Sequence, residues 1–153
     1  MHLVTYRHPT AGFSLPLPRG WERVEDAEGV ALIAVEPARP PWFRANLVVT
    51  IERLGDMDLP RWTEAGLGLL EQSLERPLLL DLEEIEIGGR PARRALVHHA
   101  TETGAVTMEQ WALTEGSLGY TVTASVATLE YDDLADLFAT MVAGFRPDPG
   151  FTP

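Results

Sequence analysis

From Val106 to Val126 the chain alternates apolar and polar side chains with few breaks: V-T-M-E-Q-W-A-L, then T-E-G-S, then L-G-Y-T-V-T-A-S-V. Period-two alternation rich in Val, Thr, Trp and Tyr is the signature of half-buried strands. Thr114-Glu115-Gly116-Ser117 supplies the connection, with Gly116 free to take positive φ. The stretch is predicted to be an antiparallel hairpin. With an even loop, Leu113 faces Leu118, Trp111 faces Tyr120 and Glu109 faces Val122. One face then carries Trp111, Leu113, Leu118, Tyr120, Val122, Ala124 and Val126, and the other carries Met108, Gln110, Thr121, Thr123 and Ser125. The first face has to be buried. This puts the hairpin at the centre of a sheet, under the amphipathic helix that follows.

The preceding run, Arg90 to Ala100, pairs back on the same strand through Thr101-Glu102-Thr103-Gly104. An even loop sets Leu96 opposite Glu109, His98 opposite Thr107 and Arg94 opposite Trp111. Glu109 then has Arg94 and His98 as diagonal neighbours, at roughly 7–8 Å, on the face read as core. An unpaired charge there is costly. Glu109 is therefore either a carboxylate satisfied by an ion pair or part of a site for ligand binding or proton transfer. Arg94, His98, Glu109, Trp111 and Tyr120 together form the candidate pocket.

The remaining elements follow from punctuation and periodicity. Leu3 to Arg7 and Gly12 to Leu15 read as short strands, with Phe13 and Trp21 as core anchors. Val30 to Glu36 is a strand apolar enough for burial on both faces. Pro37-Ala38-Arg39-Pro40-Pro41-Trp42-Phe43-Arg44 cannot hold regular structure. Its Trp42 and Phe43 either tuck over one end of the core or form an exposed aromatic patch, the candidate partner-binding residues. Asn46 to Leu54 is another strand. Asp58 caps a helix with Pro60 in its first turn, running to about Leu74. Its apolar stripe is Trp62, Gly66, Leu69, Leu70 and Leu74, and Gly66 and Gly68 suggest close packing on the sheet. Leu78 to Ile87 is a strand with a bulge at Glu83-Glu84. Its acidic run, Asp81, Glu83, Glu84 and Glu86, reads as a solvated face able to pair with Arg90, Arg93 or Arg94. Thr128 caps the last helix, whose stripe is Tyr131, Leu134, Leu137, Phe138, Met141 and Val142. Gly144 ends it and Phe145 folds back. Residues 1–147 form one domain, with 148–153 as a flexible tail.

Composition excludes several chemistries. The chain has 153 residues, 45% hydrophobic, and a formal net charge of −11. That charge repels nucleic acid and anionic lipid and suits basic or hydrophobic protein partners. There is no cysteine, which removes thiol catalysis and thiolate metal sites. All 12 basic residues are Arg, so lysine chemistry is absent too. His98 and His99 point to opposite faces of a strand, and no metal-ligand spacing or cofactor motif occurs. No signal-peptide core or membrane span is evident, and a cytoplasmic protein is expected.

The chain carries the short words Phe13-Ser14-Leu15-Pro16 with Gly20-Trp21, Asn46-Leu47-Val48-Val49, Asp58-Leu59-Pro60, Gly89-Arg90-Pro91-Ala92, Gln110-Trp111, Gly119-Tyr120-Thr121-Val122-Thr123 and Phe145-Arg146. In this order they resemble those of the PsbP/Mog-like superfamily, nearest the DcrB/LpqN-like bacterial proteins and the effector-associated chaperones of type VI secretion. The resemblance implies an α+β fold, an antiparallel sheet flanked by helices in an α/β/α sandwich. It also implies no shared catalytic residues.

The expected function is a non-enzymatic interaction or accessory module for a protein partner, serving a secretion or toxin system in its chaperone-like form. The runner-up is a protein binding a small apolar or lipid-like ligand between sheet and helix, in the pocket lined by Trp111, Tyr120 and the Glu109 cluster. A hydrolase or isomerase using Glu109 with His98 ranks third. No metal or cofactor is implied, and the oligomeric state is left open, a homodimer included.

Overall fold

The computed structural model describes residues 2–38 and 43–151. Its strands are β1 (Leu3–Arg7), β2 (Phe13–Pro18), β3 (Glu22–Ala27), β4 (Val30–Val35), β5 (Asn46–Arg53), β6 (Glu75–Ile87), β7 (Arg90–Thr101), β8 (Gly104–Glu115), β9 (Leu118–Ala127) and β10 (Arg146–Pro147). Two α-helices, α1 (Leu59–Ser73) and α2 (Tyr131–Ala143), complete the set. A seven-stranded antiparallel sheet runs β3-β4-β5-β9-β8-β7-β6, and a three-stranded sheet runs β1-β2-β10. Helix α1 lies on one face of the large sheet, while α2 and the small sheet share the other. The fold is α+β, as expected.

The β8–β9 hairpin is central, and its faces are those the alternation dictates. Its register differs by two residues from the expected one: the loop is Gly116-Ser117, so Leu113 pairs with Tyr120, Trp111 with Val122 and Glu109 with Ala124. A two-residue turn extends the ladder to Glu115↔Leu118, and Gly116 supplies the positive φ of 61°. An even shift preserves every side chain's face. The β7–β8 register is as expected, with Leu96 opposite Glu109, His98 opposite Thr107 and Arg94 opposite Trp111.

The core lies between the large sheet and α2. Phe13, Leu15 and Leu17 of β2 join Leu113, Tyr120 and Val122 of the hairpin and Phe138, Met141 and Phe145 of the C-terminal helix region, all essentially inaccessible. Phe13 stacks on Phe145 with centroids 5.4 Å apart. Thr128 does not cap α2; it opens a 3-10 turn, Thr128–Glu130, and its hydroxyl accepts from Thr107 at 3.0 Å.

Three other features depart from the sequence reading. Strand β3 is polar and exposed, so it carries no alternation to betray it. The register shifts of β6 fall between Glu75 and Leu78 and between Leu79 and Asp81, not at Glu83-Glu84. The stretch expected to fray is held in its described part. The Asp148 N–H donates to the Gly12 carbonyl at 2.8 Å, the Asp148 carboxylate pairs with Arg7 at 2.8 Å, and Phe151 packs over Gly12.

Candidate binding groove

The Glu109 cluster forms, with one substitution of partner. Glu109 is 4% exposed and accepts from Arg94 Nε at 2.6 Å and from the Tyr131 hydroxyl at 2.8 Å. Arg94 reaches on to Asp81 at 2.9 Å and Glu83 at 3.1 Å. His98 is not part of it. Its Nδ1 lies 2.6 Å from the Thr107 hydroxyl, directly across the ladder. Burial disfavours the charged guanidinium of Arg94, but the bonds and charge of Glu109 outweigh it and hold the group above its ordinary value. Burial, then the bond to Glu109, raises Tyr131. The carboxylate is thus surrounded by donors and has no exposed edge, the arrangement of a structural ion pair.

On that face the cavity found among the described residues lies at the sheet's end, against Ile51, Leu118 and Phe151, away from the Glu109 cluster. Trp111 and Tyr120 are buried within the packed core against β2 and α2. Neither side chain lines an opening to solvent, so the pocket expected at Trp111 and Tyr120 is occupied by core neighbours. The Tyr120 hydroxyl has no hydrogen-bond partner among the described residues. Burial raises its affinity for its proton.

A groove lies on the opposite face, beneath α1. The helix begins as the sequence indicates: Asp58 accepts from the Arg61 N–H at 3.0 Å, with Pro60 in the first turn. Trp62 is its single buried residue; Nε1–H donates to Glu52 at 2.7 Å and the ring lies against Gly119. Beyond that anchor the helix stands off the sheet. A Cβ on Gly66 or Gly68 would meet nothing within 4 Å, and Leu69 of the expected apolar stripe is 66% exposed. The close packing expected from the two glycines does not occur. The space left is a groove of about 360 Å³, walled by Leu67, Leu70 and Leu82 and closed at one end by Trp62.

The floor of the groove is one row across four strands: Arg93, Ala112, Thr121 and Thr50. Small side chains at Ala112 and Ala95 leave room above the sheet. Arg93 is half-buried, and its Nη1–H donates to the Thr63 hydroxyl at 2.8 Å. No carboxylate among the described residues lies within ion-pair distance of it. The sequence assigns none of these residues to a binding site, because they fall on the polar side of each strand. The signal was present in Ala95 and Ala112 facing a glycine-bearing helix.

Beside the groove runs β6, an open edge of the large sheet. Leu78, Leu79 and Leu80 are consecutive and exposed, Leu78 at 57%. Downstream, Asp81 and Glu83 are tied to Arg94, whereas Glu84 and Glu86 face solvent. Of the two aromatic residues proposed for partner binding, Trp42 lies outside the described residues and Phe43 is half-buried.

No protein-family model matches this chain, and no curated protein matches it. Solved structures do. CyanoP, the cyanobacterial PsbP of Synechocystis, aligns with a TM-score of 0.75 at 19% identity over 95% of this chain and 92% of its own. LpqN, involved in cell envelope biogenesis of Mycobacterium tuberculosis, aligns with a TM-score of 0.75 at 18% identity over 97% of this chain and 91% of its own. The protein of unknown function PA94 from Pseudomonas aeruginosa aligns with a TM-score of 0.71 at 18% identity, over 97% and 99%. The chain has the PsbP/LpqN-like fold. At such identity the likeness concerns architecture, and the chemistry must be argued from this chain's own residues.

Proposed function

We propose that this PsbP/LpqN-like protein is a non-enzymatic accessory module that docks a protein partner on the leucine-bearing edge of its large sheet. The observation that carries the reading is the contrast between the two edges. The outer strand β3 bears Glu22, Arg23 and Glu25, exposed charges that discourage pairing. The outer strand β6 bears three adjacent exposed leucines, with Leu69 of α1 exposed on the same side of the molecule as Leu79. Leu79 and Leu69 expose apolar surface on the α1 side and Leu78 does so on the opposite face, so the edge is apolar on both sides, and exposed apolar surface rimmed by charge marks an interaction site. The rim is acidic, through Glu84, Glu86 and Glu71, and suits a partner with an apolar centre and basic flanks. LpqN's involvement in envelope biogenesis accords with an accessory role. A chaperone-like role toward a secretion or toxin partner is the finer form of the proposal.

The test is quantitative capture from the source cells with the wild-type protein, L78E/L80E, and L129E as a control at a still more exposed leucine away from this edge. A partner recovered by the wild type and by L129E, and at least tenfold less by L78E/L80E, is expected. It should rebind when purified with the same ranking. Indistinguishable recoveries across the three baits would refute the edge as a docking surface.

A second reading, binding of a small apolar or lipid-like ligand, is favoured by one specific observation. The groove beneath α1, at about 360 Å³, falls within the 300–1,000 Å³ range of ligand sites.

A further inference from the structure

We infer that the groove beneath α1 is a site for a single-headed anionic amphiphile, a medium-chain aliphatic carboxylate, with Arg93 as the head-group ligand. The inference rests on the ligand-binding reading of the groove and does not depend on the leucine edge.

The walls are apolar. Leu67 and Leu70 descend from the helix, Leu82 rises from β6, and Trp62 closes the far end. Among the described residues, Arg93 is the one cation that lines this surface. Arg93 is held by its Nη1–H to Thr63 at 2.8 Å, while the Nε and Nη2 donors have no partner among the described residues. Those two N–H groups form the planar edge that binds a carboxylate through two parallel hydrogen bonds. Glu84 faces Arg93 across the β6–β7 ladder, yet the two are not within ion-pair distance. The other two arginines of β7 are committed: Arg94 to Glu109, Asp81 and Glu83, and Arg90 to Glu115. An uncommitted, half-buried guanidinium in an apolar groove of an acidic protein calls for an anion from outside.

Surroundings limit that anion to one charge. Glu84 stands next to Arg93, and Glu52 lies in the groove at the Trp62 end. A dianionic phosphate would face both with a single cation to offset it. Glu52 occupies β5 and Arg93 occupies β7, three strand spacings apart in the order β5-β9-β8-β7, about 14 Å at the usual spacing. Head and tail ends are therefore distinct. The carboxylate sits at Arg93, and the chain runs over Ala112 towards Trp62.

The experiment is calorimetric and NMR titration of the intact protein with decanoate and, separately, with decanol. Both are run on the wild type, R93Q and L70E. Saturable decanoate binding to the wild type is expected, with amide shifts at Ala95, Ala112 and Thr121. R93Q should bind decanoate at least tenfold more weakly and decanol as the wild type does. L70E should bind neither, and it keeps the proposal testable should R93Q fold poorly. Decanol binding with no decanoate preference for Arg93 overturns the anion assignment and leaves the groove reading standing. Absence of saturable binding by either probe overturns both.

Discussion

Replacing Arg94 by Met is the sharpest test of how the hairpin tolerates a buried carboxylate. The side chain of Glu109 is 4% exposed and that of Arg94 is 16% exposed. R94M leaves the carboxylate with only the Tyr131 hydroxyl, so an uncompensated charge remains in the core face. Breaking a buried pair this way costs about 3–5 kcal/mol, and a carboxylate so completely enclosed belongs near the top of that range. E109Q is milder. The amide oxygen still accepts from Tyr131, and Arg94 keeps Asp81 and Glu83 at 2.9 and 3.1 Å. Its cost should be about 2 kcal/mol, of the order of one lost charge-assisted hydrogen bond. The double variant R94M/E109L removes both charges and should recover much of the loss, since hydrophobic replacement of a buried pair is often near neutral. Urea denaturation followed by circular dichroism gives all three values. An R94M cost below about 1 kcal/mol, or one smaller than that of E109Q, would refute the reasoning. So would a double variant less stable than R94M alone.

Two further outcomes follow from packing and burial. G66A and G68A should each stabilise by roughly 1 kcal/mol, since a new Cβ meets nothing within 4 Å and the helix gains propensity. G119A should destabilise by about 1–3 kcal/mol, because its Cβ would stand 2.6 Å from the Trp62 ring; thermal melts of the three variants check the contrast. All three tyrosines hold their protons more tightly than usual: burial is the leading cause for each, reinforced by Glu25 at Tyr6 and by Glu109 at Tyr131. With folded values above the unfolded value of about 10, their contribution is complete below pH 10 and is lost as pH rises beyond it. Absorbance at 295 nm should stay flat through pH 10 and rise together with the loss of circular dichroism. Tyrosine ionisation centred at pH 10 in a protein with intact dichroism would contradict the burial.

The fold was legible where side chains alternate against a filled core. Trp111, Tyr120 and Val122 alternate with Thr121 and Thr123, and this fixed both faces of the hairpin although the turn proved two residues shorter than assumed. Parity survives such a shift and register does not. Asp58-Leu59-Pro60 placed the start of α1 within a residue. Strand β3 was illegible because all but its last residue is exposed and it has no apolar face to repeat. The β6 bulges escaped because the residues that cause them, Arg76 with φ of 47° and Leu80, are not glycines.

The candidate site was illegible for a more instructive reason. Sequence reasoning looks for chemistry where a polar residue breaks an apolar pattern, and it settled on Glu109. In a buried face such an intruder must be neutralised before the chain can fold, and Arg94 and Tyr131 do so completely. A residue satisfied in that way has little capacity left for a ligand. Arg93, one position along the strand, points to the other face, where a polar residue breaks no pattern. It carries the unused donors because the helix above it is anchored at one end by Trp62, and the glycines of that helix and the alanines of the sheet leave the space between them unfilled. The capacity to bind thus arises where the two faces differ in packing: one is filled by α2 and the small sheet, the other roofed by a helix that the sequence makes too slight to fill it.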